Sequence, residues 1–121
     1  EIIPTVKVEG VEGMYWCEMN RNFVRYLSDV EESPLFDALA RVQAAGKANL
    51  GEGSRFIGAF RACGIAIPVF ELAEGVRAED IVKEAGVLEE AIAAALKVKE
   101  PLTPEERRAR QGMVSRQVTI R

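Results

Sequence analysis

The sequence predicts an α+β domain, a mostly antiparallel sheet of about four to five strands packed with three to four helices. Three observations carry that prediction. Residues 5–27 are rich in β-branched and aromatic side chains in runs of strand length, punctuated by glycine and asparagine. Further along, apolar residues recur at helical spacing behind recognisable start signals. Strands and helices also follow one another without a strict βαβ alternation, which argues against a parallel sheet.

In order along the chain, Thr5, Val6 and Val8 open the strand material, and Gly10 and Gly13 punctuate it. Residues 14–19 form a mostly apolar run centred on Tyr15 and Trp16. Both faces of that run are largely apolar, which fits a central strand rather than an edge. Asn20-Arg21-Asn22 supplies a turn, because asparagine tolerates left-handed backbone angles. Residues 23–27 then return as the second strand of an antiparallel hairpin, with Phe23, Arg25 and Leu27 on one side and Val24 and Tyr26 on the other. Tyr15 and Trp16, being adjacent, point to opposite faces. Both are expected in the core.

Ser33-Pro34 reads as a helix start, with serine capping free N–H groups and proline where its missing N–H costs nothing. Leu35, Leu39 and Val42, with Phe36 beside them, make one apolar stripe, and Gly46 is the left-handed cap. A glycine-rich loop, 47–53, leads to Ser54, read as the cap of a short helix over 55–63. Phe56, Phe60 and Cys63 lie on its buried face, and Gly64 closes it. Residues 65–72 are the clearest strand, almost wholly apolar. Pro68 within it points to an edge position or a bulge, since proline cannot donate to a ladder.

Residues 78–98 read as helical, with Ile81, Ala85, Leu88, Ile92 and Ala95 stepping along one stripe. Gly86 interrupts at a cost of about 1 kcal/mol relative to alanine, which predicts a kink or two helices. Thr103-Pro104-Glu105-Glu106 combines a threonine cap, proline at the first helical position and a glutamate placed for a capping box. That helix is expected to stop at Gly112, with a final strand over 113–121. There Arg116 would share an apolar face with Val118 and Ile120. A buried guanidinium needs a carboxylate partner, for which Glu18, Asp37 and Glu71 are the candidates.

Composition bounds the function. The 121 residues fit one domain, 1–121, with enough apolar content, 48%, for a core. There is no histidine, so His-based triads, Cys–His nucleophile pairs and most zinc sites are excluded. No catalytic residue, metal site or cofactor is expected. Cys17 and Cys63 make neither a disulfide framework nor a metal spacing; both are expected as buried thiols in a reducing compartment. No apolar run reaches the roughly 18 residues of a membrane span, and no membrane partner is expected. Net charge is −3, but residues 103–121 carry five arginines against Glu105 and Glu106, a net of +3, leaving −6 on the rest. The arginines of this segment are not interleaved with aromatic residues, so nucleic-acid binding by this domain is not expected. The chain opens on Glu1 rather than Met, which reads as a piece of a longer protein.

One loop has the residue types of an anion site. Gly51, Gly53, Ser54, Arg55 and Arg61 surround the expected helix start at 54–55, where backbone N–H groups could receive a phosphate. The spacing is that of neither a Walker loop nor a dinucleotide fingerprint, and a tight turn with a helix cap explains the same residues.

Four stretches, VEGMYWC (11–17), LFDALARVQAAG (35–46), LGEGSRFIGAFRACGIAIPVFEL (50–72) and LTPEERRARQGMVSRQVTIR (102–121), resemble a family of uncharacterised actinobacterial proteins. Its members are sometimes labelled SecA-like, SEC-C-related or topoisomerase-like. The resemblance implies the carboxy-terminal domain of a longer cytoplasmic protein and carries no catalytic residues with it. Taken together, the expectation is a non-catalytic interaction or self-association module. Its partner would be the remainder of its own chain or a second copy, and the alternative is a small-ligand or anion-binding regulatory domain.

Overall fold

A computed structural model describes residues 4–116 and shows five antiparallel strands and three α-helices. The strands are β1 (Thr5–Lys7), β2 (Met14–Glu18), β3 (Asn22–Tyr26), β4 (Arg55–Ala62) and β5 (Ile65–Glu71), in sheet order β1-β2-β3-β5-β4. The helices are α1 (Glu32–Ala44), between β3 and β4, and then α2 (Val82–Leu96) and α3 (Pro104–Ser115) after the sheet is complete. The α+β prediction holds.

The β2–β3 hairpin forms where the sequence places it, with Trp16 opposite Val24 and Tyr15 opposite Arg25. Its turn is Met19–Asn20–Arg21, one residue earlier than expected, and Asn22 already belongs to β3. Gly13 is required just before it. Its φ is +89°, and a Cβ there would lie 2.0 Å from the Leu27 carbonyl oxygen. That close approach lets the Leu27 N–H reach the Gly13 carbonyl at 2.8 Å.

The largest departure lies at residues 55–63. They are not a helix; residues 55–62 are strand β4, paired along its length with β5. Cys63 and Gly64 form the two-residue hairpin turn, with φ of +54° and +78°. Two successive positive φ values are the signature of the turn whose twist matches the flanking strands. Cys63 therefore projects from a hairpin tip and is exposed, correcting the expected buried thiol. Both cysteines are free. A bulge between Phe56 and Gly58 resets the alternation of β4, so Phe56 faces the helices while Phe60 faces away. Pro68 sits in an interior strand, but the β3 ladder ends at Arg25–Val69 and the bulge lies close by.

The helices follow the predicted stripes. Leu35, Phe36, Leu39 and Val42 are buried in α1. The helix starts at Glu32, earlier than Ser33-Pro34 suggested, with Glu31 as an N-cap lacking a side-chain bond. Its end is the expected one. Gly46 N–H bonds the Gln43 carbonyl and Lys47 N–H bonds that of Val42, the paired bonds of a Schellman cap. The break in the 78–98 stretch falls at Ile81–Val82, where a 3₁₀ turn (Ala78–Ile81) passes into α2, and Gly86 lies inside the helix. In α3 the capping box is present as read: Thr103 Oγ1 accepts from Glu106 N–H, and Glu106 Oε1 from Thr103 N–H. Gly112 does not stop α3, which continues to Ser115, so residues 113–115 are not strand. The remainder of that expected strand, 117–121, lies outside the described residues.

All three helices gather on one side. The core there joins Met14, Trp16, Val24, Phe70 and Leu72 from the sheet to Leu35, Phe36, Leu39, Leu88, Ile92 and Met113 from the helices. Phe56 and Phe70 stack with ring centroids 5.2 Å apart. Trp16 is anchored by its indole N–H, which donates to the Val76 carbonyl at 3.0 Å. The Asn22 side-chain amide donates to that same oxygen.

Candidate functional site

The register decides which side chains face away from the helices. Opposite the Trp16–Val24–Phe70 face stand Tyr15 and Cys17 on β2, Phe23 and Arg25 on β3, Ile67, Val69 and Glu71 on β5, and Arg55 and Phe60 on β4. No described helix packs on this side. An antiparallel sheet with one wet face ordinarily alternates apolar with polar residues. Here the second face is apolar too, and Tyr15, Phe23, Phe60 and Ile67 are left half-buried. Val69, at the centre, is fully covered by its own neighbours.

Arg25 lies in the middle of this face, opposite Tyr15 on one side and Val69 on the other. Its Nε is buried without a hydrogen-bond partner, and none of the ion pairs among the described residues includes it. Its guanidinium bonds the Cys17 thiol. Burial pushes that thiol above the ordinary cysteine range, while the arginine pulls in the other direction. At one end of the face Arg21 and Arg55 share a single carboxylate. Glu71 forms an ion pair with Arg21 at 2.8 Å and accepts a hydrogen bond from Arg55 at 3.0 Å, with its own side chain only 14% exposed. Lys7, opposite Tyr15, pairs at 3.5 Å with the exposed Glu12. Four cations thus meet two carboxylates on and around this surface of a chain whose net charge is −3.

The residues singled out for anion binding do not converge. Gly51 and Gly53 take positive φ in a turn that leads into a strand, so the helix start that would have received the anion is absent. Ser54 Oγ is engaged within the loop, accepting from Leu50 N–H and donating to the Gly51 carbonyl. Arg55 faces the open side with Glu71, whereas Arg61, opposite the buried Ala66, faces the helices and pairs with Glu32 of α1. The two arginines are on opposite faces and six residues apart, about 20 Å of extended chain. Arg116 is the C-cap of α3 and exposed, rather than buried on an apolar strand.

The arginines of α3 are put to local use. Arg110 Nε bonds Asp37 Oδ1 at 2.7 Å, its Nη2 reaches Ser33 Oγ, and it lies over the Phe36 ring. Arg107 bonds the Leu102 carbonyl. Glu71, among the carboxylates weighed for Arg116, is taken by Arg21 and Arg55 instead, and Asp37 by Arg110.

A polar cleft of about 340 Å³ opens where the β2–β3 turn meets the chain leaving β5. Glu18, Asn20, Arg21, Asn22, Glu74 and Arg77 line it. Arg77 stacks over the Trp16 ring with its guanidinium carbon 4.6 Å from the centroid. No cluster of His, Cys, Asp and Glu suited to a metal ion occurs among the described residues. None of their helices is long and apolar enough to cross a membrane.

The open face escaped the sequence reading because its members come from four strands, and one of those had been taken for a helix. A signal was present nonetheless: both β2 and β5 are apolar on both faces, the pattern of strands covered twice. No curated protein and no solved structure matches the chain. The family model that does match it spans residues 1–121, and by that match the chain belongs to a family of unknown function, DUF5926.

Proposed function

We propose that this chain is a non-catalytic interaction module and that the open face of the sheet is its working surface. One observation carries the reading: a sheet face that is apolar in sequence and uncovered by any described helix, with an arginine at its centre that is in no ion pair among the described residues and whose Nε has no hydrogen-bond partner. Leaving such a face in water forgoes roughly 25 cal/mol for each Å² of apolar surface a partner would cover. Tyr15, Phe23, Phe60 and Ile67, half-buried and uncovered by any described helix, are apolar surface that a partner could complete. The absence of histidine, which removes the commonest general base, fits a module that binds rather than reacts.

The test is site-specific crosslinking in the cell, with benzoylphenylalanine placed at position 23, 60 or 87. Phe23 and Phe60 face the open side, and Val87 is an exposed residue on α2. Adducts from positions 23 and 60 but not from 87 support the reading, and their mass identifies a second copy, another protein or a nucleic acid. Adducts only from 87, or none anywhere, overturn it. A second reading, a small-ligand site, draws on the cleft beneath Arg77. The single tryptophan of the chain lies against that arginine, so a bound ligand would change its fluorescence. Unchanged emission across a metabolite library would dismiss that reading.

A further inference from the structure

Resting on the interaction-module reading, we infer that the occupant of the open face is single-stranded nucleic acid. In that arrangement bases stack on Tyr15, Phe23 and Phe60 while phosphates pair with Arg25, Arg21, Arg55 and Lys7. Platforms that bind single strands combine two ingredients, aromatic rings that give each base a π-face and cations that follow the backbone. A sheet that presents two or three such aromatics is one of the common protein solutions for RNA. The α3 arginines lack the first ingredient. The open face has both.

Tyr15, Phe23 and Phe60 sit on three different strands of the same face. From β2 to β4 is three inter-strand steps, about 14 Å, which gives room for two or three bases. Arg25 stands among them in no ion pair among the described residues, its guanidinium beside the Cys17 thiol and its Nε buried without a partner. Arg21 and Arg55 divide one carboxylate, so together they keep a net positive charge at the rim.

Charge decides against the other occupants. A second copy laid face to face about a two-fold axis through the middle of the face would bring Arg25 against its own image, and like charges buried together disfavour such a contact. A protein partner would need an apolar surface dotted with carboxylates, and stacking rings would give it no particular advantage over aliphatic ones. Protein capture is therefore an outcome of the test rather than the inference.

The experiment is fluorescence anisotropy with labelled oligouridylate and oligodeoxythymidylate of about 20 nucleotides, a duplex of equal length, and poly-glutamate as competitor. Single strands are expected to bind with micromolar affinity, a Kd below about 50 µM, in about 50 mM salt, with a log–log salt slope on the order of −2 to −3 for three or four phosphate contacts. Tyr15→Leu and Phe23→Leu keep apolar bulk and remove the π-face, and each should weaken binding about fivefold or more. Arg25→Gln should weaken it about tenfold and make the salt slope shallower. Arg107→Gln on α3 should leave affinity unchanged. Melting temperature shows whether each variant is folded, and Arg25→Lys, which keeps the charge, covers the case in which Arg25→Gln is not. The uridylate and thymidylate arms separate RNA from DNA.

No anisotropy change up to about 100 µM protein overturns the inference. So does equal displacement by poly-glutamate with no effect of the leucine variants, which would show a merely anion-attracting surface. A protein adduct from position 23 in the cell, with no oligonucleotide binding, would sink this inference and leave the interaction module standing. No adduct from position 23 or 60 would sink both.

Discussion

Tyr15 and Trp16 are neighbours in the chain, yet they end in different worlds. Trp16 lies under the helices with its N–H bonded to Val76 and Arg77 across its ring. Tyr15 lies on the face that no described helix reaches, opposite Arg25. The same contrast runs through the sheet. Val24 and Phe70 are fully covered by helices, while Phe23, next to Val24 in sequence, and Ile67, three residues before Phe70, are half-buried. Both faces carry enough apolar surface to be covered. What distinguishes them is how charge is paired: on the helix side Arg61 is matched by Glu32, and the other side keeps in its centre an arginine that is in no ion pair among the described residues. A closed core tolerates no unpaired cation, whereas a surface that meets a partner can present one.

The contrast breaks most sharply by truncating one ring on each face. Phe70→Ala should cost about 3–5 kcal/mol, since Phe70 is fully buried and stacked on Phe56. Phe60→Ala should cost about 1 kcal/mol or less, because its ring is already partly in water. Denaturant titration of both variants measures the difference; equal losses would mean the open face is as much a core as the other. Next in size is the attachment of α3. Met113→Ala should cost about 2–4 kcal/mol, as Met113 is the fully buried residue of that helix. Asp37→Asn should cost under about 1 kcal/mol, because its ion pair with Arg110 is 42% and 30% exposed on its two sides. The reverse ranking, read by urea melts, would make the helix layer ionic rather than apolar.

Alkaline pH tests one group on each face. Burial raises the Cys17 thiol on the open side, against the pull of Arg25. Burial first, then Glu89 and Asp29, raises the Tyr26 phenol on the helix side. Both groups are neutral when protonated, so each folded site holds its proton to higher pH than the unfolded chain does. Stability is therefore fully present below the ordinary thiol range, about 8.5, and declines as pH climbs through it and then through the phenol range, about 10. Cys17→Ser should remove the first part of the decline and Tyr26→Phe the second, as seen in melting temperature between about pH 8 and 11. A flat profile in the unmodified chain would mean neither group is held neutral by the fold. The smallest effect belongs to the hairpin tip, which serves neither face. Cys63→Asn should stabilise by a few tenths of a kcal/mol, because asparagine accepts positive φ more readily than cysteine. A loss of stability in thermal melts would mean the Cys63 side chain has a contact of its own.

Much of the scaffold was legible because its signals are local. The Schellman end at Gly46, the Thr103–Glu106 capping box and the Ile81-to-Ala95 stripe each need only a few consecutive residues, and each formed as read. Strand β4 was not legible because its bulge at Phe56–Gly58 breaks the period of two. What remains, Phe56, Phe60 and Cys63, mimics a helical stripe. The hairpin turn was hidden by a cysteine at a position where asparagine or aspartate is the usual sign. Gly112 and Gly86 were read as interruptions, yet both sit inside helices, where packing outweighs a penalty of about 1 kcal/mol each. The candidate surface was the least legible part. Arg25 could be assigned a side of its strand, but not what stands on the strands beside it.

The sequence by itself determined the class of fold, the helix ends, the first hairpin and an apolar content on both faces of β2 and β5, since these follow from backbone preferences and the spacing of neighbours. Only the tertiary structure decided which of those two faces the helices cover, that Arg55 and Arg61 part company across the sheet, and that Arg25, Tyr15, Phe23 and Phe60 share one surface. The physical reason is strand pairing. Register joins residues distant in sequence, and a single bulge reverses which side of the sheet every later side chain meets.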